Sequence, residues 1–240
     1  MSVTRMAVVI PLANEQDTVI ELLSRVVLQL GDSDRVYCVL DNVTTDRTRE
    51  LVEDMAAQDD RIACIWAPEN RCVVDAYFRG YREALQSEAR WILEMDGGLS
   101  HAPEEIPRFV AAMESGAQYA GGSRFIKGSA WSGPLGRYIV SRGGSVLVNA
   151  VLGTRMHDMT SGFECFSRDA MEMVVAQGVR SRAHFFQTEI RALMHEVRWA
   201  EVPISYRSPS DRLAGSSITE ALRNLWVLRR ESKSRPETHR

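Results

Sequence analysis

The strongest constraint on the fold is an alternation in the first half of the chain. Short apolar runs at 7–12, 35–40, 61–66 and 91–95 are separated by stretches whose apolar residues recur at helical spacing. Val19, Leu22, Leu23, Val26 and Leu30 make one such stripe within 18–30, and Leu51, Val52 and Met55 another within 48–57. A third helix is predicted over 73–87, a fourth from Pro103 to about 115, and a fifth strand over 118–125. Strand-length runs alternating with amphipathic helices imply βα units and a parallel sheet covered on both faces. Right-handed crossovers then bring the carboxyl ends of the strands to one edge, where open α/β sheets bind ligands.

Beyond residue 125 the pattern changes. Residues 128–136 are rich in Gly and Ser around Trp131 and read as a mobile loop. Residues 135–152 read as a helix weakened at Gly143–Gly144, and a last helix is expected over 217–231. With neither repeat nor linker, 1–232 is expected to form a single domain and 233–240 a frayed tail.

Charge and length exclude several functions. The net charge of -3 offers no general attraction for nucleic acid, and none is expected as a partner. The first apolar run is too short for a signal-peptide core, and no run approaches a membrane span. A cytoplasmic protein, in peripheral contact with a membrane at most, is therefore expected. Cys38, Cys64, Cys72 and Cys165 form no CxxC pair and read as incidental thiols in a reducing compartment.

Polar residues collect where the strands should end: Asn14 and Glu15 after the first, Asp41 and Asn42 after the second, Asp96 after the fourth. Asn14 or Asp41 alone would suit helix capping. Acidic residues gathered on one sheet edge raise one another's pKa unless a cation or a donor-rich ligand lies among them.

In order and spacing, AVVIPLANE, VLDNVTTDRT, WILEMDGGLSHAPEEIP, GGSRF, LGRYIVSRG, DMTSGFECFSR, FFQTEI and VPISYRSPSDRLAGSS resemble glycosyltransferase family 2, and most nearly its polyprenol-phosphate mannose (or glucose) synthase branch. The resemblance spans roughly residues 6 to 218. It implies a GT-A fold, a Rossmann-like, mainly parallel sheet flanked by helices. It implies inverting transfer of a mannose- or glucose-type hexose from a GDP- or UDP-type sugar to a lipid phosphate, with Mg²⁺ or Mn²⁺. Pro11, Asn14, Glu15, Asp41 and Asn42 would hold the nucleoside, with Arg71 beside them. Asp96 would lie by the diphosphate and its metal, and Arg124 would line the donor site. Arg137 and Ser141, one helical turn apart, would hold the acceptor phosphate; Gln187 and Glu189 would face the sugar; Arg212 and Ser217 would close a phosphate-binding loop. A phosphate acceptor is already an anion, so catalysis would rest on positioning and on stabilising the departing diphosphate.

The chain also departs from the family pattern. The acidic turn, usually Asp-x-Asp, reads Asp96-Gly97-Gly98. Asn42 stands where a second Asp is usual, Asn70–Val74 lacks the usual glycines, and Ile218 replaces a Lys. A soluble acceptor, or a binding protein without catalysis, are the alternative readings. Asp158 is a candidate base for a neutral acceptor, and His101 a candidate metal ligand or helix cap. The apolar side of the last helix (Leu222, Leu225, Trp226) suits packing on the sheet or a membrane surface.

Overall fold

The structure, a computed structural model, describes residues 6–207 and 215–234, and within the last helix the side chains of 221–230. The first half runs β1 (Met6–Pro11), α1 (Val19–Val27), β2 (Arg35–Leu40), α2 (Thr48–Gln58), β3 (Ile62–Trp66), α3 (Val73–Gln86) and β4 (Trp91–Glu94). A short 3₁₀ turn (Pro103–Glu105) leads into α4 (Ile106–Glu114) and β5 (Tyr119–Ser123). Then follow β6 (Ala130–Ser132), α5 (Leu135–Leu152), β7 (Glu164–Ser167), α6 (Arg168–Gln177), α7 (Phe185–Met194), β8 (Trp199–Pro203), β9 (Ser205–Arg207) and α8 (Gly215–Ser234).

The main sheet has seven strands in the order β3-β2-β1-β4-β7-β5-β8. Every strand runs the same way except β7, which pairs antiparallel with both β4 and β5. The order reverses between β1 and β4, so their carboxyl ends flank a crevice at a topological switch point.

Alternation along β1 divides the core. Val8 and Ile10 pack with Leu22 and Val26 of α1 and Phe109 of α4, while Ala7 and Val9 pack with Tyr77 and Tyr81 of α3 and Ile190 of α7. All of these are almost fully removed from water. Each such side chain contributes about 1.5–3 kcal/mol of apolar transfer, which is why the period-2 pattern fixes the register so firmly.

Two expectations need correcting. The segment 128–136 is not an open loop, because β6 pairs in parallel with β9 to form a separate two-stranded sheet. Trp131 stacks on Tyr206 at 5.2 Å and meets Tyr138 edge-on at 5.5 Å, and these ring contacts order a segment whose composition suggested mobility. The last helix starts earlier than expected and continues to Ser234, inside the span taken for a frayed tail; 235–240 lie outside the described residues.

A buried ionic group holds the second half of the sheet. Glu94 of β4 and Glu164 of β7 face each other across the antiparallel ladder, both fully buried. Arg191 of α7, also fully buried, donates from Nε to Glu164 at 2.6 Å and from Nη2 to the carbonyls of Gly122 and Ser161 at 3.0 and 3.1 Å. Its Nη1 donates to the carbonyl of Asp158, and the Tyr81 hydroxyl donates to Glu94.

Burial pushes the Glu164 carboxyl up to about 7 against the pull of Arg191. Burial, reinforced by the charge of Glu164, pushes Glu94 well above the usual carboxylate range. These two glutamates therefore bind more protons in the native state than in the unfolded chain above pH 4.5, and their contribution to stability should fall as pH rises towards 7. The unfolding free energy from urea titrations should decline by on the order of 3 kcal/mol between pH 5 and 8 through these groups. Glu164→Gln should flatten that slope; an unchanged slope would rule out the buried proton.

Candidate functional site

The crevice is built from two turns pressed together. After β1 the chain turns at Asn14, which adopts φ 56°, and after β4 it turns at Leu99, with φ 55°. Left-handed backbone is costly for a residue such as Leu and tends to be kept where geometry matters. Gly97 lets the turns touch: a Cβ there would lie 2.9 Å from the Pro11 carbonyl and 2.7 Å from Leu12. At Gly98 a Cβ would lie 3.2 Å from Oε1 of Glu15.

Asp96 sits in the crevice with its side chain 40% exposed. It accepts hydrogen bonds from the Tyr77 hydroxyl at 2.9 Å and the Ser100 hydroxyl at 3.4 Å. Glu15 is half-buried, and its Oε2 accepts from Thr18 at 2.8 Å. Burial raises its pKa, with the charges of Asp46 and Asp96 adding to the effect.

Asn14 and Asp41 do not cap the following helices. Asn14 donates to the Val43 carbonyl at 2.9 Å and accepts from the Thr45 amide at 2.9 Å, tying the first loop to the second. Asp41 is buried and accepts from the Val43 amide at 2.9 Å. Asn42 is exposed and donates to the Pro68 carbonyl at 2.8 Å, joining the second loop to the third. Pro11 closes β1 beside them. Arg71 is set apart: its amide donates to Asp75, and it lines an open groove of about 840 Å³ along the outer face of α3 that includes neither Asp41 nor Asp96.

A second group lies on the other side of Asp96. His101 is fully buried, stacked on Phe163 at 5.0 Å, with Nδ1 3.5 Å from the Asp96 amide. Burial lowers its pKa, so the neutral ring accepts from that amide and braces the turn rather than capping the next helix. Tyr206 stands 5.7 Å from His101, and Arg137 Nη2 donates to its hydroxyl at 3.4 Å. Arg137 and Ser141 share the half-buried side of α5, as the spacing predicts.

Three expected side chains have structural partners. Arg124 forms a bidentate pair with Asp158, Nε and Nη2 donating at 2.7 and 2.8 Å, and both residues are buried. Burial opposes the charge on Asp158, but the charge and hydrogen bonds of Arg124 prevail and hold it at about 2. A carboxylate so weakly basic and so fully engaged is a poor general base, which corrects the role considered for it. Glu189 is spent on the loop before α7, accepting from the Arg180 and Ser181 amides at 2.8 and 2.9 Å. Gln187 is buried against Gly162, where a Cβ would overlap its amide. Arg212 and the side chain of Ser217 lie outside the described residues.

Sequence reasoning missed Tyr77, Tyr206 and Arg191. Tyr77 and Arg191 lie inside helical stripes that read as core; a charged residue in such a stripe was the available signal for Arg191. Among the described residues no group of three or more His, Cys, Asp or Glu could enclose a metal ion.

The sheet order, the crevice and the acidic turn can be set beside known proteins. Residues 7–174 match the family described as glycosyl transferase family 2. The chain belongs to that family. It is 29% identical over 227 residues to a polyprenol monophosphomannose synthase of Mycolicibacterium smegmatis, covering 91% of this chain and 84% of the relative. It is 26% identical over 226 residues to an undecaprenyl-phosphate mannosyltransferase of Micrococcus luteus, covering 92% of each. A dolichol-phosphate mannosyltransferase of Pyrococcus furiosus is 27% identical over 233 residues, 93% of this chain and 63% of that one. Among solved structures, a glucosyl-3-phosphoglycerate synthase from Mycobacterium tuberculosis, in complex with Mn²⁺, UDP and phosphoglyceric acid, superposes with a TM-score of 0.69. Its identity is 15%, over 98% of this chain and 80% of that one, which establishes the shared GT-A fold. The chain is a glycosyltransferase.

If Asp158 serves structure, Asp158→Asn should destabilise the fold by about 3–5 kcal/mol by leaving Arg124 buried and unpaired. Chemical denaturation measures this; a fully stable but inactive variant would restore the case for a base.

Proposed function

We propose that this glycosyltransferase moves a hexose of the mannose or glucose type from a GDP- or UDP-type sugar to the phosphate of a polyprenol-like lipid, with inversion. The observation that carries the reading is the two-sidedness of α5. Its half-buried side presents Arg137, which reaches the Tyr206 hydroxyl, and Ser141 one helical turn on, a setting for a phosphate. Its outward side is mainly apolar: Leu135 is 71% exposed, Ile139 59% and Val146 56%, Val140 and Leu147 are exposed beside them, and the half-buried Arg142 is the charged residue in that stripe. Neighbouring α8 buries Leu225 in the core yet leaves Leu222 and Trp226 exposed, with Arg229 over the Trp226 ring at 5.3 Å. The last helix thus packs on the core through Leu225, and its exposed Leu222 and Trp226 would be the side that meets the membrane. From 115 to 157 there is no acidic residue, while Arg124, Lys127, Arg137, Arg142 and Arg155 all fall there.

A mainly apolar outward face with basic residues in and around it suits anionic headgroups and acyl chains. Among the described residues no helix is long and apolar enough to cross a membrane, so contact would be peripheral. The named functions of the relatives, which concern polyprenol-type phosphates, support the same acceptor class.

In the proposed reaction an acceptor phosphate oxygen bonds to the anomeric carbon as the carbon–oxygen bond to the diphosphate breaks. The electron pair leaves with the nucleoside diphosphate, and no proton needs removing. Arg137 would hold the acceptor phosphate in line with that bond, and its fixed charge suits a partly dehydrated site. Asn14, Asp41 and Asn42 would shape the nucleoside side, and Pro11 its floor. Arg124, locked to Asp158, would act by holding the ring cluster of Tyr206 and Trp131, which lie 5.1 and 5.8 Å from its guanidinium. Mg²⁺ or Mn²⁺ fits the hard oxygen donors of Asp96 and its neighbours, and when bound would neutralise charge on the leaving diphosphate.

Transfer to a short polyprenyl phosphate in detergent should be detected with one member of a GDP- and UDP-sugar panel. Transfer only to soluble phosphate acceptors would refute the lipid assignment, and binding without turnover would refute catalysis. Arg137→Met should raise the acceptor KM by about tenfold or more, leaving nucleotide affinity unchanged. Ile139→Asp/Val146→Asp should weaken flotation with phosphatidylglycerol vesicles by about tenfold and leave nucleotide affinity unchanged; undiminished flotation would discard this face.

A further inference from the structure

We infer that Glu15 supplies the carboxylate that position 98 lacks, so that a divalent cation on the donor diphosphate is held by Asp96 and Glu15 from two touching turns. This rests on the transferase reading given above. The family's second acidic position is occupied here by Gly98, which has no side chain to offer.

The space such a side chain would enter is already taken. A Cβ built on Gly98 would point at the Glu15 carboxylate, 3.2 Å from Oε1 and 3.6 Å from Oε2. A side chain at 98 would reach the Glu15 carboxylate directly, so with Gly98 in place that space is left to Glu15. Glutamate is one methylene longer than aspartate, enough to deliver its carboxylate from the neighbouring turn.

Glu15 is also held for this task. Its amide donates to Thr48 Oγ1 at 2.7 Å, and the Thr18 hydroxyl fixes Oε2 at 2.8 Å. No hydrogen bond reaches Oε1 from the described residues, and this is the oxygen nearest the Gly98 position. Asp96 is held similarly by Tyr77 and Ser100. Tyr77 comes from α3 and Thr48 from α2, so the two carboxylates are braced independently. The close approach at Gly97 brings these turns together.

Two carboxylates that form no group of three or more His, Cys, Asp or Glu among the described residues fit a cation that keeps waters and takes its remaining oxygens from phosphate. Cation and nucleotide should then bind together, each weakly without the other.

Mn²⁺ binding to the full-length chain, followed by electron paramagnetic resonance with and without GDP or UDP, tests this without any turnover. Nucleotide affinity is measured alongside by calorimetry, with Mn²⁺ or with chelator. In the native chain the nucleotide should raise Mn²⁺ affinity by about tenfold or more. Glu15→Gln should remove most of that gain and change nucleotide affinity in chelator by less than about threefold. Glu15→Ala/Gly98→Asp, which moves the carboxylate back across the gap, should restore the gain to within about threefold of native, whereas Glu15→Ala should not.

Unchanged Mn²⁺ affinity in Glu15→Gln would overturn the inference. So would an equal loss of nucleotide affinity with and without Mn²⁺, which would make Glu15 a nucleoside contact instead. Failure of the double variant to recover, when its thermal melt shows it folded, would overturn it too. These results leave the transferase reading standing, whereas a native chain that binds no nucleoside diphosphate in either condition would remove both.

Discussion

The carboxyl edge of the sheet depends on one buried cation. Arg191, fully buried, joins β5, β7 and the 158–161 segment through Glu164 and three backbone carbonyls. A guanidinium suits this position because its donors diverge in a plane and its charge survives burial. Gly121 is the local condition for it: a Cβ there would lie 2.8 Å from Nη1. From the same segment Asp158 reaches Arg124, which approaches Tyr206, and Tyr206 meets Arg137 and His101. The antiparallel strand that interrupts an otherwise parallel sheet is thus fastened to the floor of the candidate acceptor site.

Much of the fold was legible because its periodicities are local. The βα alternation fell within a residue or two of the observed strands, since each apolar run is bounded by a turn and each helical stripe faces the sheet. The reversal of β7 was not legible, because a strand's direction depends on partners distant in sequence. The two-stranded sheet escaped for a similar reason: the Gly and Ser around Trp131 describe a flexible backbone, while the Tyr206 that orders it lies far along the chain. At the site, residues on the strand ends were readable, whereas Tyr77 and Tyr206 look in sequence like ordinary core and edge aromatics. Roles drawn from resemblance were less secure where a buried partner intervenes, as with Glu189 and the Ser181 amide, or Arg124 and Asp158.

The departures from the family pattern fall on the donor side and leave the Arg137 side intact. Seen in three dimensions, Gly98 is part of a contact rather than a simple deletion. Gly97 and Gly98 form a surface without side chains on which the first turn rests, so a loss on one turn can be met from the other. Such an exchange is invisible in either motif taken alone.

The inverted character of α5 has a kinetic consequence. On the lipid reading, an enzyme seated by this helix meets its acceptor by diffusion in two dimensions, and the quantity that saturates it is a mole fraction in the bilayer. Diluting the carrier with inert lipid would slow the reaction at constant bulk concentration, while the water-borne donor would still obey ordinary volume concentration. The outward face of one helix would then decide in which phase each substrate is counted.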